Sequence, residues 1–186
     1  MRLFVALEIS EEVRASIAAL IRELKPLDSS WKWTRAENLH VTLKFLGEIP
    51  PEKLGGIKGV LSFVNCEWPM PLKFRGLGFF PNERRPRVLW VGMEAPKSLP
   101  ALAATIEEGL AKVGMPQEER EFTPHLTLAR SKDGKASEKL RSALESYSAC
   151  RFGEMNVSVF HLIESKLKST GAEYTTLESF SGAREL

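Results

Sequence analysis

The chain has 186 residues, 43% apolar and 27% charged, with a formal net charge of +2. These values suit one soluble globular domain with a real core and set aside a membrane-embedded or disordered chain. The near-neutral balance announces no strongly basic nucleic-acid binder, and only a local patch would make one. The two cysteines, Cys66 and Cys150, lack metal-type spacing and read as small buried thiols in a reducing compartment. The apolar run from Leu3 to Leu7 is cut by Glu8, too short for a signal core or a span. A cytoplasmic protein with no membrane attachment is expected.

Leu3 to Leu7 is β-prone and predicts the first strand. Ser10 offers an N-cap, and Val13, Ile17, Leu20, Ile21 and Leu24 recur at helical spacing up to Lys25-Pro26. Trp31 to Trp33 is a short strand candidate, and His40 to Leu46 is a longer one that ends at Gly47. Pro50-Pro51 opens a helix carrying Leu54, Ile57 and Leu61, weakened by three glycines. Met70 to Phe80 predicts a strand, followed by a loop bearing Arg84 and Arg85 and a strand from Arg87 to Met93. Leu99, Leu102, Ala103, Ile106, Leu110 and Val113 form a helical stripe that Gly114 and Pro116 end. His125 to Ala129 is the next strand, and Ala136 to Tyr147 the next helix. One strand is expected over Met155 to Ile163, a loop over Lys166 to Glu173, and a last strand from Tyr174 to Phe180.

Two of the three histidines open the same four-residue pattern, His40-Val41-Thr42-Leu43 and His125-Leu126-Thr127-Leu128. Strand alternation puts each His and its Thr on one face and the two apolar residues on the other. An imidazole beside a hydroxyl can move a proton and hold an oxyanion, so two such units can do acid and base work on one phosphate. The second histidine follows the first at 85 residues, and other matches keep that spacing to within one. Leu3 to Glu8 aligns with Leu89 to Glu94, and Glu52-Lys53-Leu54 with Glu138-Lys139-Leu140. Phe4 and Trp90 thereby become equivalent positions, with core packing as their default role. A shared spacing in a common order reads as a duplicated β-α-β unit forming two lobes. The expected fold is α+β, a single domain over 1–186 with halves near 1–86 and 87–186, and antiparallel sheets around a central cleft.

These residues resemble the 2H phosphoesterases, whose hallmark is two His-x-Thr-x motifs, and more narrowly the RNA 2′,3′-cyclic phosphodiesterases, historically called 2′-5′ RNA ligases. The resemblance covers nearly the whole chain. It includes Arg2 to Leu7, Asn38 to Glu48, Pro86 to Trp90 and Phe122 to Arg130. It implies metal-independent opening of a 2′,3′-cyclic phosphate at an RNA end, or of a cyclic nucleotide, to give a 2′-phosphate and a free 3′-hydroxyl. It also implies His40 as proton donor, His125 as proton acceptor, and Thr42 and Thr127 as phosphate contacts. No cofactor and no metal are expected, and the chain should act as a monomer.

Cations near the motifs are candidates for phosphate contact. A guanidinium meets a phosphate bidentately, which favours Arg130, against the alternative of a solvated strand end. Lys44 shares strand parity with His40 and Thr42 and is expected in the cleft. Lys73, Arg75, Arg84, Arg85 and Arg87 lie among Phe74, Phe79 and Phe80, a mix suited to a single-stranded RNA end, although such a segment is more often solvated surface. His161 sits among apolar residues without a following Thr and reads as structural. Two histidines fall short of a catalytic zinc set, and no nucleophile motif or phosphate-cradling glycine loop is present. Two alternatives stay open: 2′-5′ RNA ligation through the same histidines, and a non-catalytic protein that binds RNA ends.

Overall fold

The computed structural model describes residues 1–169 and 171–181. Its strands are β1 (Arg2–Glu8), β2 (Lys32–Trp33), β3 (His40–Glu48), β4 (Met70–Phe80), β5 (Val88–Glu94), β6 (His125–Arg130), β7 (Arg151–Val157), β8 (Phe160–Lys168) and β9 (Gly171–Phe180). The α-helices are α1 (Glu11–Leu24), α2 (Leu54–Ser62), α3 (Ser98–Ala111) and α4 (Glu138–Ser146). The fold is the mixed α and β architecture expected, and all strand pairs are antiparallel. The strands make one sheet in the order β7-β4-β5-β6-β3-β1-β8-β9, with β2 also paired to β6. The lobes interlock. β4, from the first half of the chain, pairs with β5 and β7, whereas β8, from the second half, pairs with β1.

Local chemistry explains the helices. The Ser10 hydroxyl accepts from the Val13 amide at 3.3 Å, and Ser137 does the same for Leu140 at 3.1 Å, so each starts on a satisfied N-cap. The inward stripes of α1 and α3 bury Val13, Ile17 and Leu24, and Leu99, Ile106 and Leu110. Gly109 lets α3 approach α2, since a Cβ there would stand 2.8 Å from Val60. These helices share one core with Leu3, Val5 and Leu7 of β1, Val41 of β3 and Leu126 and Leu128 of β6. The other sheet face carries a separate small cluster, Phe4, Ala6 and Ile163, with Tyr174 against it. That second face lines the cleft.

Two expected elements differ. The strand read over Met155 to Ile163 is split into β7, at one edge of the sheet, and β8, next to the opposite edge strand β9, because the chain leaves the second lobe at Val157 and enters the first at Phe160. Both faces of β8 are buried near its start, which mimics continuous alternation. The loop read over Lys166 to Glu173 is mostly strand: β8 runs to Lys168 and β9 starts at Gly171, with a φ of 123°. Thr170 of that reading lies outside the described residues. Cys66 and Cys150 are free thiols, half-buried instead of fully buried. Among the described residues, no helix is long and apolar enough to cross a membrane.

Leu126 is fully buried where β6 meets β3. Leu126→Ala is expected to cost about 2–5 kcal/mol in urea denaturation. A loss below about 1 kcal/mol would mean that this junction is not tightly packed.

Candidate active site

β3 and β6 are antiparallel neighbours with Val41 opposite Leu126. Continuing that register sets His40 beside Thr127 and Thr42 beside His125. Val41 and Leu126 face the core at zero exposure, so their neighbours in sequence, all four partly exposed, face the cleft. The four residues read from the sequence therefore come together as one patch with local twofold character.

Both imidazoles are pinned the same way. His40 Nδ1 lies 2.7 Å from the Asn38 carbonyl oxygen, and His125 Nδ1 lies 2.8 Å from that of Thr123. A carbonyl only accepts, so Nδ1 carries the proton and Nε2 of the neutral ring is left as the acceptor. His40 Nε2 is 3.0 Å from Thr42 Oγ1, which donates to it while the ring is neutral. Aromatic rings wall each histidine. Phe4 and Tyr174 stand 4.7 and 5.3 Å from the His40 ring, and Phe80 stands 5.0 Å from His125. Phe80 in turn leans on Trp90 at 5.0 Å. The Trp90 indole lies flat across Gly78, where a Cβ would fall 2.1 Å from its ring.

Burial is the main influence on both histidines. It drives His40 down to about 4, against the Asn38 hydrogen bond, with the positive fields of Arg130 and His125 pushing the same way. His125 is also lowered by burial, against the Thr123 hydrogen bond, with Arg130 adding to the depression. Burial raises the Tyr174 phenol, and Arg130 and Arg2 oppose that shift. One guanidinium thus reaches His40, His125 and Tyr174.

Simple alternation would turn Arg130 away from Thr127. A β-bulge reverses this: Thr127 pairs with Trp90 but Ala129 pairs with Leu89, so Leu128 is the extra residue and Arg130 returns to the cleft face. The same bulge occurs in β3, where Ala6 pairs with Thr42 and Val5 with Lys44, leaving Leu43 extra. There it corrects the expectation for Lys44. Its ammonium lies on the core side, 2.5 Å from Glu107 and 2.9 Å from the Pro116 carbonyl, and Glu107 also accepts from the Glu118 amide at 2.7 Å. Lys44 ties the segment after α3 to β3, with its ammonium engaged by Glu107 and the Pro116 carbonyl.

Several other expectations shift. Phe74 and Phe79 are buried in the core, Arg75 pairs with Glu94, and Arg87 donates to the Lys132 carbonyl, so only Phe80 of that segment reaches the histidines. Phe4 and Trp90 line the cleft, and register makes Ala6, not Phe4, the counterpart of Trp90. His161 is buried, with Nδ1 2.8 Å from Ser179 Oγ, and it stands opposite Ala6 of β1. Tyr174 escaped the sequence reading because no motif surrounds it; its only signal was an aromatic residue in the last strand. Among the described residues, no group of three or more His, Cys, Asp or Glu side chains is placed to hold a metal ion.

The profile of the 2′-5′ RNA ligase superfamily matches residues 13–168. A protein of Archaeoglobus fulgidus named RNA 2′,3′-cyclic phosphodiesterase is 38% identical over 180 residues, covering 97% of this chain and 99% of its own. One of the same name from Aquifex aeolicus is 36% identical over 185 residues, covering 97% and 96%. Among solved structures, a Thermus thermophilus protein superposes with a TM-score of 0.82 at 34% identity, covering all of both chains. E. coli LigT complexed with 3′-AMP superposes with a TM-score of 0.79 at 29% identity, covering 98% of each.

In the free protein, NMR titration is expected to place both histidines below the ordinary 6.5, with His40 at about 4. A group with a depressed folded pKa binds more protons when unfolded, so its contribution to stability is complete above pH 6.5 and is lost as pH falls towards about 4. Arg130→Gln should raise both values. Unchanged titrations in that variant would place the guanidinium elsewhere.

Proposed function

The chain belongs to the 2′-5′ RNA ligase superfamily, and we propose that it hydrolyses 2′,3′-cyclic phosphate ends of RNA to 2′-phosphates by metal-independent, two-histidine acid–base catalysis. The observation that carries this reading is the pair of antiparallel His-x-Thr units, each with Nδ1 pinned to a main-chain carbonyl and Nε2 left for chemistry. The relatives named RNA 2′,3′-cyclic phosphodiesterase support the substrate class, and the 3′-AMP complex of E. coli LigT supports a nucleotide as ligand.

In the reaction, water attacks phosphorus while His125 Nε2 takes its proton. The bond from phosphorus to the 3′-oxygen breaks on the opposite side, and His40 Nε2 protonates that oxygen. Charge gathers on the non-bridging oxygens, which Thr42, Thr127 and Arg130 meet as fixed donors. One imidazole must start charged, yet burial favours the neutral form of both in the free protein. The phosphate's own negative charge supplies the missing term by raising both values on binding. A histidine depressed to about 4 also yields its proton readily once charged, which suits His40 to an alkoxide leaving group. The motif residues come from one chain, which supports action as a monomer, and the free thiols Cys66 and Cys150 fit a cytoplasmic setting.

An RNA oligonucleotide with a 2′,3′-cyclic phosphate, incubated with EDTA and followed by ³¹P NMR, tests the proposal. The expected product is a 2′-phosphate, with His40→Ala and His125→Ala each slower by roughly 10²–10⁴-fold. Absence of turnover, or turnover abolished by EDTA, would sink it.

A further inference from the structure

Arg2 of β1 is exposed and faces the cleft. Leu3, Val5 and Leu7 point to the core while Phe4 and Ala6 line the other face, and alternation puts Arg2 with the latter. Register carries the same row across the sheet. Arg2 stands opposite Ser165 of β8, and Ser165 stands opposite Tyr174 of β9. The Arg2 and Tyr174 backbones are thus two strand spacings apart, about 10 Å. Their side chains share one face, and the Arg2 guanidinium is near enough to act on the Tyr174 phenol.

Both polar groups are uncommitted. Glu48 stands opposite Arg2 in β3, but its carboxylate turns to the Met1 amino group at 3.5 Å. Glu164 of β8 pairs with Lys166 at 3.3 Å. Among the described residues, the Arg2 guanidinium makes no ion pair and the Tyr174 hydroxyl no hydrogen bond. The Tyr174 ring already packs edge-on with Phe4 at 5.0 Å and with His40 at 5.3 Å, so what it offers a ligand is the hydroxyl. Burial raises that phenol, against the fields of Arg130 and Arg2, and keeps it a proton donor near neutral pH.

We infer that Arg2 and the Tyr174 hydroxyl form a subsite for the phosphodiester immediately upstream of the cyclic phosphate, the one that joins the terminal nucleoside to the rest of an RNA strand. The inference rests on the function proposed above. There, His40 serves the 3′-oxygen of the terminal ribose, which sets that ribose at the wall made by Phe4 and Tyr174. Its 5′-oxygen leads to the next phosphate, over Tyr174 and towards Arg2. A phosphodiester is a monoanion with two non-bridging oxygens. A guanidinium and a neutral phenol are donors that match it, one supplying charge and the other a directed O–H. The opposite way out, past His125, is lined by Glu118, Arg120 and Glu121, whose net charge repels a phosphate. Arg130 also acts on the Tyr174 phenol, so the two phosphate positions share one cationic track: Arg130 for the reacting phosphate, Arg2 for its neighbour. A mononucleoside cyclic phosphate lacks the upstream group, and the subsite therefore favours an RNA end over a free nucleotide.

The test uses a diadenosine dinucleotide ending in a 2′,3′-cyclic phosphate, with its internal linkage either an ordinary phosphodiester or an uncharged methylphosphonate. In the unsubstituted protein, neutralising the linkage is expected to lower kcat/KM for opening the cyclic phosphate by about tenfold. Arg2→Gln, at an exposed position, should cost about tenfold on the ordinary linkage and less than about twofold on the neutral one, since the group it served is already gone. Tyr174→Phe keeps the ring and should narrow the gap between the two substrates in the same direction. Equal rates on both linkages in the unsubstituted protein would overturn the inference. So would equal loss on both in Arg2→Gln, which would assign Arg2 to the reacting phosphate or to the fold. Failure of the unsubstituted protein to open either cyclic phosphate would sink the parent reading, and this subsite with it.

Discussion

Val41 and Leu126 face each other where β3 meets β6, both fully buried, and this short antiparallel contact sets the geometry of the cleft. It joins the two lobes into one sheet. Because side chains alternate, burying these two residues turns His40, Thr42, His125 and Thr127 outward together. Antiparallel pairing reverses the order of the second motif against the first, so each imidazole gains a hydroxyl across the seam as well as one along its own strand. The main-chain carbonyls of Asn38 and Thr123 then fix which nitrogen each ring leaves unprotonated. Positioning of the two imidazoles is carried by backbone hydrogen bonds and core packing, which are stiffer than contacts among exposed side chains.

The local symmetry is broken in useful ways. Equivalent bulges at Leu43 and Leu128 bring Phe45 to the cleft face in one motif and Arg130 in the other. The residues just before them, Lys44 and Ala129, turn to the core side, where lysine needs a partner and finds Glu107. A lone buried ammonium would carry a desolvation penalty of several kcal/mol. The pair instead anchors the segment after α3 to β3. Burial also differs, since Phe4 and Tyr174 enclose His40 more fully than Phe80 encloses His125. Two copies of one motif therefore hold their imidazoles in two different enclosures, both of which lower the affinity for a proton.

Much of this was legible in the sequence, and what was not has identifiable causes. The His and Thr pairs were readable because alternation holds over four residues, and the common spacing of the matches carried the two-lobed α+β fold. Lys44 was misread and Arg130 was left undecided for one reason: a bulge adds a residue and inverts the parity beyond it, and propensity does not mark where it falls. The break between β7 and β8 was hidden because Phe160 to Glu164 is buried on both faces. Tyr174 reaches His40 only through the pairing of β9 to β8, of β8 to β1 and of β1 to β3, a relation across four strands that no local pattern encodes. Phe4 and Trp90 were assigned to the core because aromatic residues usually pack there. They do pack, but on the face that the histidines share.

The assignment of opposite proton roles to the two histidines is tested most directly by the pH dependence of kcat/KM for a cyclic-phosphate RNA, in the unsubstituted protein and in each histidine variant. A donor and an acceptor together give a bell. Removing His40 should erase only the falling limb at high pH, and removing His125 only the rising limb at low pH. A flat profile between about pH 5 and 9, or a full bell surviving in both variants, would contradict the two-histidine mechanism.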